Sequence, residues 1–250
     1  MYKLLLGTLF LSIYGNTYAT TFPPTTTKSC ESKPLEVKWY RDSAEKNALY
    51  LEIFKLSEPI LLANKKQMVK PGNMCGVIFD IDETLIDNSL FQYNNVKQCA
   101  PFSWSSWTKF VKSEASTATP GAAAITNFIH GIGCKVDIVS NRTIDTQSVT
   151  EELLKKQGIY FDQVILTENS KMTDKNPRFK AIIQGIAPSK IKYPQTIIGY
   201  YGDNIEDFPQ SKQVLYLNKD SEATVYANFG TTYFALPNPM YGSWLKNKYN

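Results

Sequence analysis

Two aspartates, Asp80 and Asp82, stand two residues apart at the end of the wholly apolar run 74–79. Side chains alternate along a strand, so both carboxylates point to the same side. The turn that follows, through Glu83, Thr84 and Leu85, lets the two differ in depth and in partners. One carboxylate can then attack an electrophile while its neighbour, at a raised pKa, protonates the leaving group. Aspartate is also common in turns, so the pair alone equally describes a polar strand-to-loop junction.

Two further polar clusters follow apolar runs. Ser140, Asn141 and Arg142 come directly after 135–139. A short hydroxyl beside an exposed backbone N–H can hold a phosphoryl oxygen, although a Ser-Asn pair after a strand is more often a turn. Gly202, Asp203, Asn204 and Asp207 come after 196–201. Carboxylates gathered at a strand end, beside a glycine that permits close approach, make a hard oxygen site suited to Mg²⁺. A cation is needed between these clusters to balance a phosphate. Lys171, Lys175 and Lys180 are available, and Lys175 is favoured because it opens an apparent helix facing the same edge.

The elements that must position these residues alternate. Short apolar runs at 74–79, 135–139, 161–166, 196–201 and 214–217 read as strands, and 146–156 and 178–186 read as helices. That order predicts an α/β fold with a doubly wound, mostly parallel sheet, whose ligands bind beyond the C-terminal strand ends. Residues 35–70 carry apolar residues at helical spacing and form an N-terminal helical segment. The core is expected over 71–250, interrupted at about 88–118 by an aromatic-rich helical insert.

The N-terminus begins with one lysine, runs apolar from residue 4 to 14, and reaches small residues at Ala19. This is the order of a cleavable export signal, and the run is far shorter than the ~20 residues a membrane helix needs. The reading is a signal over 1–19, a flexible leader over 20–34, and a secreted or periplasmic protein without stable membrane insertion. Export makes Cys30, Cys75, Cys99 and Cys134 candidates for disulfides. Cys75 and Cys134 sit just ahead of two of the motifs, which would put both at the starts of neighbouring strands. Four cysteines allow three connectivities, and the sequence leaves the pairing, or buried free thiols, open.

A net charge of +4 without a basic run gives no footprint for a nucleic-acid polymer. The single histidine, His130, lacks an adjacent Arg-His-Gly, which leaves a phosphohistidine enzyme or a Ser-His-Asp hydrolase nothing to build on. It reads as the end of a helix.

The segments FDIDETLIDN (79–88) and IIGYYGDNIEDF (197–208) together resemble the paired signatures of class C nonspecific acid phosphatases. These are the bacterial lipoprotein-e-like group, subfamily IIIB of the haloacid-dehalogenase (HAD) superfamily. Ser43-Ala44-Glu45, Pro101-Phe102, Thr119-Pro120-Gly121-Ala122, KNPRFK (175–180), Leu236-Pro237-Asn238 and Tyr241-Gly242-Ser243-Trp244 extend the resemblance over nearly all of the chain from Leu35 onward. The resemblance implies that Asp80 is the nucleophile and Asp82 the general acid and base. It implies Mg²⁺ on Asp80, Asp203 and the Asp82 backbone carbonyl, with phosphate held by Ser140, Asn141 and Lys175. Asp207 and Asn204 would support that shell, and Trp107 and Tyr241 would line the pocket for a small phosphomonoester carrying a nucleobase or aryl group. A homodimer is left open. Two features depart from the family: the lipid-anchoring cysteine is absent, and Lys46 replaces an expected aromatic. The competing readings are an exported nucleotide- or ligand-binding surface protein, and a phosphotransferase that passes the same intermediate to an alcohol.

Overall fold

The computed structural model describes residues 34–217, 220 and 224–248. The signal segment, the leader up to residue 33, and Cys30 lie outside these residues. Two helices open the described chain, α1 (Leu35–Asp42) and α2 (Ala44–Met68). Ser43 caps α2, its hydroxyl accepting the Lys46 N–H at 3.2 Å, and so satisfies one of the free donors of the first turn. Along α2, Tyr50, Phe54, Ser57 and Leu61 are buried. They recur at about one helical turn, which makes a single core-facing stripe.

The α/β core follows in chain order. β1 (Met74–Phe79) leads to a short ribbon strand, β2 (Ile86–Asp87). Helices α3 (Ser89–Gln98) and α4 (Trp104–Val111) come next. β3 (Thr117–Ala118) pairs antiparallel with β2, which brings the two ends of the helical excursion together. After it run α5 (Ala122–Gly131), β4 (Lys135–Thr143), α6 (Gln147–Lys156), β5 (Gln163–Thr167), α7 (Asn176–Gln184) and β6 (Gln195–Gly202). The small elements α8 (Gln213–Tyr216) and β7 (Tyr233–Ala235) complete the set.

The main sheet has the order β5-β4-β1-β6-β7, and all its pairings are parallel. Both faces are covered. Residues of α2, α5 and α6 pack on one side, and Phe179 and Ile182 of α7 pack on the other. Strands buried on both faces must be apolar throughout, which is why 74–79 reads as an unbroken apolar run. The doubly wound α/β sheet is therefore the fold.

One expectation fails. Residues 214–216 lie in the short helix α8, with Leu217 as its C-cap, rather than in a strand, and Val214, Leu215 and Leu217 are exposed. Four apolar residues in a row carry no period that separates strand from helix. The fifth strand is instead Tyr233–Ala235, which pairs with the end of β6.

Aromatic side chains fix the strand ends. Phe79 stacks on Tyr201 at 4.5 Å between centroids, and Tyr201 on Phe234 at 4.7 Å, a row crossing β1, β6 and β7. Each such pair contributes about 0.5–1.5 kcal/mol beyond burial. The Tyr201 hydroxyl also donates to Ser57 of α2. A disulfide joins Cys75 of β1 to Cys134 just ahead of β4, their Cα atoms 4.8 Å apart. No cysteine among the described residues is free. No described helix is long and apolar enough to cross a membrane.

Candidate active site

From β1 the chain winds outward through β4 and β5, then returns to the other side of β1 with β6. The order reverses between β1 and β6, the place where an open α/β sheet leaves a crevice at its C-terminal edge. Asp80 and Asp203 are the first residues past those two strands. The Asp80 N–H donates to the Tyr201 carbonyl at 2.9 Å, extending the ladder by one bond into the crevice.

Lys175 holds the N-cap position of α7 and is almost wholly buried. Its ammonium donates to Asp80 Oδ1 and lies 2.7 Å from Asp207 Oδ1. Asp207 is held from its other oxygen, Oδ2, which accepts the Asn204 N–H at 2.9 Å. A Cβ on Gly202 would stand 2.3 Å from the Asp207 Cβ, so this close approach requires glycine. Asp203 accepts from Asn238 Nδ2 at 2.8 Å and from the Thr84 hydroxyl at 3.3 Å.

Oxygens of Asp80, Asp203 and Asp207 all lie within 4.8 Å of one another. Burial pushes Asp80 up to about 7, with the charges of Asp207 and Asp82 adding to it and Lys175 opposing. Burial, then the Asp207 and Asp80 charges, holds Asp203 well above the carboxylate range. Burial alone would lower the Lys175 ammonium, yet Asp207 and Asp80 outweigh it and hold it above its ordinary value. Three clustered acids, Asp80 and Asp207 buried and Asp203 partly so, with one ammonium between two of them, are short of positive charge. The donor set is all oxygen, and it fits a hard divalent cation.

Asp82 faces elsewhere. Its Oδ1 accepts from Arg142 Nε at 2.9 Å, Arg142 Nη2 at 2.7 Å and Asn88 Nδ2 at 2.9 Å. Its carboxylate thus lies outside the acidic trio, and Asp207 takes the third place there. The turn between the two aspartates and the insert is tightly braced. Glu83 has φ 55°, in the left-handed region, and its N–H donates to Ile86 O at 2.8 Å. Glu83 Oε1 accepts the Asn88 N–H at 2.7 Å, and the Tyr50 hydroxyl donates to the Glu83 carbonyl.

Ser140 is buried, its Oγ accepting the Arg142 N–H at 3.2 Å and its carbonyl accepting from Arg178. The Asn141 side chain is committed, to Arg178 through Oδ1 and to the Thr173 carbonyl through Nδ2 at 3.1 Å. The ladder between β4 and β5 is interrupted between Val139 and Thr143, which leaves the Asn141 amide outside that pairing. Asn204 caps the turn at 205–207 and accepts from Ser243 at 2.6 Å. Through Ser243 and Asn238, the C-terminal segment that carries half-buried Tyr241 borders the acidic trio. Trp107 packs edge-on to Phe91 at 5.2 Å and lies under the Arg142 guanidinium at 5.8 Å.

The sequence alone gives no role to Arg142, Asn88, Arg178 or Asn238, though all four fall in the motifs quoted above. Asn88 stood only as the last letter of its motif. Lys46, where an aromatic was expected, is buried 2.7 Å from Asp87 and lies over the Tyr40 ring at 4.7 Å. There it ties α2 to the start of the insert. His130 ends α5 stacked on Tyr160 at 3.8 Å.

The family model of HAD superfamily, subfamily IIIB (acid phosphatase), matches residues 19–244. Among solved structures, the class C acid phosphatase from Bacillus anthracis with tungstate bound superposes with a TM-score of 0.73. It is 25% identical, over 84% of this chain and 85% of that one. A second structure of the Bacillus anthracis enzyme gives 0.72 at the same identity and coverage. The "Stem 31 kDa glycoprotein" of Glycine max is 26% identical over 165 residues, 66% of this chain, and the chain spans 58% of that relative's length. With this match over residues 19–244, the chain belongs to HAD subfamily IIIB, the acid phosphatases.

Proposed function

We propose that this phosphatase is an exported, Mg²⁺-dependent enzyme that hydrolyses phosphomonoesters through an aspartyl-phosphate on Asp80. The observation that carries the reading is one buried ammonium, Lys175, shared by Asp80 and Asp207 beside Asp203 at the strand-order reversal. A merely structural ion pair would not set a third acid beside two that already share one cation at a crevice.

In the first half-reaction an Asp80 carboxylate oxygen attacks phosphorus in line. The bond from phosphorus to the leaving oxygen breaks, and Asp82 gives that oxygen its proton. In the second, Asp82 takes a proton from water as the water oxygen bonds to phosphorus. The Asp80–phosphorus bond then breaks, which restores the carboxylate and releases inorganic phosphate. Lys175 has three protons and spends two on Asp80 and Asp207, so the third can meet a phosphoryl oxygen. The Ser140 hydroxyl accepts from Arg142 and keeps its own proton for another oxygen, with the Asn141 amide beside it. Mg²⁺, when bound, would be held by Asp80, Asp203 and the Asp82 carbonyl with Asp207 in support, and would supply neutralisation of the negative charge on carboxylate and phosphate.

Trp107 and Tyr241 offer aromatic surface to a flat group, which favours nucleoside monophosphates and aryl phosphates. The apolar N-terminal segment is read as a signal over 1–19, followed by a leader over 20–34. The helical segment 35–70 and the core 71–250, with its insert at 88–118, form the exported enzyme. Hydrolysis of an aryl phosphate with Mg²⁺, and with a chelator in its place, tests the reading. Activity must fall to background in chelator and return with Mg²⁺; turnover indifferent to both would overturn it.

A further inference from the structure

Arg142 is 1% exposed and is a buried guanidinium with one carboxylate partner among the described residues, Asp82. Two of its nitrogens, Nε and Nη2, converge on a single oxygen, Asp82 Oδ1. This is not the parallel fork in which an arginine takes both oxygens of a carboxylate. Asn88 Nδ2 adds a third donor to the same oxygen. Asp82 Oδ2 accepts none of the hydrogen bonds among the described residues and is the oxygen left for a reacting proton.

The arginine is itself clamped. Nη1 donates to the Thr150 hydroxyl at 3.3 Å, from α6. Nη2 also reaches Asn88 Oδ1 at 3.4 Å, and that oxygen is held by the Ser116 hydroxyl at 2.7 Å. The guanidinium carbon lies over the ring of Trp107, from α4, 5.8 Å from its centroid. Trp107 is fixed in turn by Phe91 and Phe110. Asn88, Trp107 and Ser116 all belong to the insert over 88–118, so the insert grips the side chain expected to move the proton.

We infer that Arg142 is the positioning residue of Asp82, saturating Oδ1 so that Oδ2 alone meets the leaving oxygen, and that Trp107 acts through it. The inference rests on the reading of Asp82 as proton donor. It gives the insert a task in the chemical step, apart from forming a wall of the substrate pocket. A carboxylate free to rotate would present either oxygen at several angles, and misplacement of about 1 Å can cost ~100-fold in rate.

The test compares kcat/KM for p-nitrophenyl phosphate and for glycerol phosphate in Arg142→Lys, Arg142→Gln, Trp107→Ala and Asp82→Asn. This parameter covers steps up to loss of the leaving group, so the later role of Asp82 as base does not enter. A nitrophenolate leaves unprotonated, whereas an alkoxide does not. General-acid catalysis contributes about 10²–10⁴-fold. Asp82→Asn should therefore lose at least ~100-fold on glycerol phosphate and under ~10-fold on the aryl ester. Arg142→Gln should follow the same asymmetry, Arg142→Lys should recover part of it, and Trp107→Ala should show it in weaker form. If Asp82→Asn loses both substrates alike, the proton-donor reading itself fails. If Asp82→Asn is asymmetric but the Arg142 and Trp107 variants lose both substrates equally, their role is structural and the inference is overturned. Trp107 is half-buried at the surface of the insert, so its variant decides the matter should both Arg142 variants fail to fold.

Discussion

Lys175 and Asp207 are paired at 2.7 Å, both buried, and the same ammonium also donates to Asp80. The lysine therefore neutralises part of the acidic trio before any substrate arrives. Lys175→Met removes that charge and a phosphate ligand together. Turnover should fall by at least ~100-fold. Breaking a buried pair costs about 3–5 kcal/mol, so the metal-free variant should melt well below the wild type. Because Mg²⁺ then carries more of the neutralisation, adding it should raise Tm further in the variant than in the wild type. Calorimetry with and without Mg²⁺ checks this, and an equal rise in both proteins would separate Lys175 from the metal site.

Substrate choice follows from Tyr241, in the segment tied to the trio through Asn238 and Ser243. Stacking is worth about 1–3 kcal/mol per base, roughly 5- to 150-fold. Tyr241→Ala should weaken kcat/KM for a nucleoside monophosphate by that factor and barely alter glycerol phosphate. A parallel loss on both would make the ring structural. Trp107→Ala separates two roles: loss confined to the nucleotide marks stacking, and loss on every alkoxide ester marks action through Arg142.

Another buried acid lies away from the trio, near the start of β4. Asp137 in β4 accepts from Gln163 Nε2 at 2.6 Å, yet its Oδ2 and the Gln195 Oε1 have no hydrogen-bond partner among the described residues. Both oxygens lie within 3 Å of where a Cβ on Gly76 would stand, at 2.9 and 2.2 Å. Burial raises Asp137 to about 6, against hydrogen bonds from Gln163 and Gln195, with the Asp162 charge adding and Lys135 opposing. The folded state thus holds a proton that the unfolded chain has lost between about pH 4 and 6. Its stabilisation is complete below the unfolded value and is lost as pH rises through about 6, worth about 3 kcal/mol at most. Asp137→Asn mimics the protonated form. It should flatten stability over this window and melt above the wild type at pH 7. A variant less stable than the wild type at pH 7 would mean that the ionised form is the one the fold requires.

The sheet was legible because its central strands are buried on both faces, which forces apolar runs at 74–79 and 196–201 and leaves polar ends at Asp80 and Asp203. The β7 strand escaped because it is three residues long, too short for alternation to register. Lys175 could be singled out by its place at a helix start, although it meets Asp80 across 95 residues of chain. The grip of Arg142 on Asp82 was not legible. It depends on where the insert folds back, and no local spacing encodes that position. Nor does the sequence show that three donors crowd one oxygen of Asp82 and leave the other open.

The central claim is a covalent phosphoenzyme on Asp80. Acid-quenching the wild type during turnover and reducing with borohydride converts an aspartyl-phosphate to homoserine, which peptide mapping can locate. The account predicts homoserine at position 80 only when substrate is present. It also predicts that Asp80→Asn loses at least several powers of ten in kcat while keeping the wild-type fold by circular dichroism. An Asp80→Asn enzyme retaining more than about a tenth of wild-type activity, or label on another residue, would contradict it.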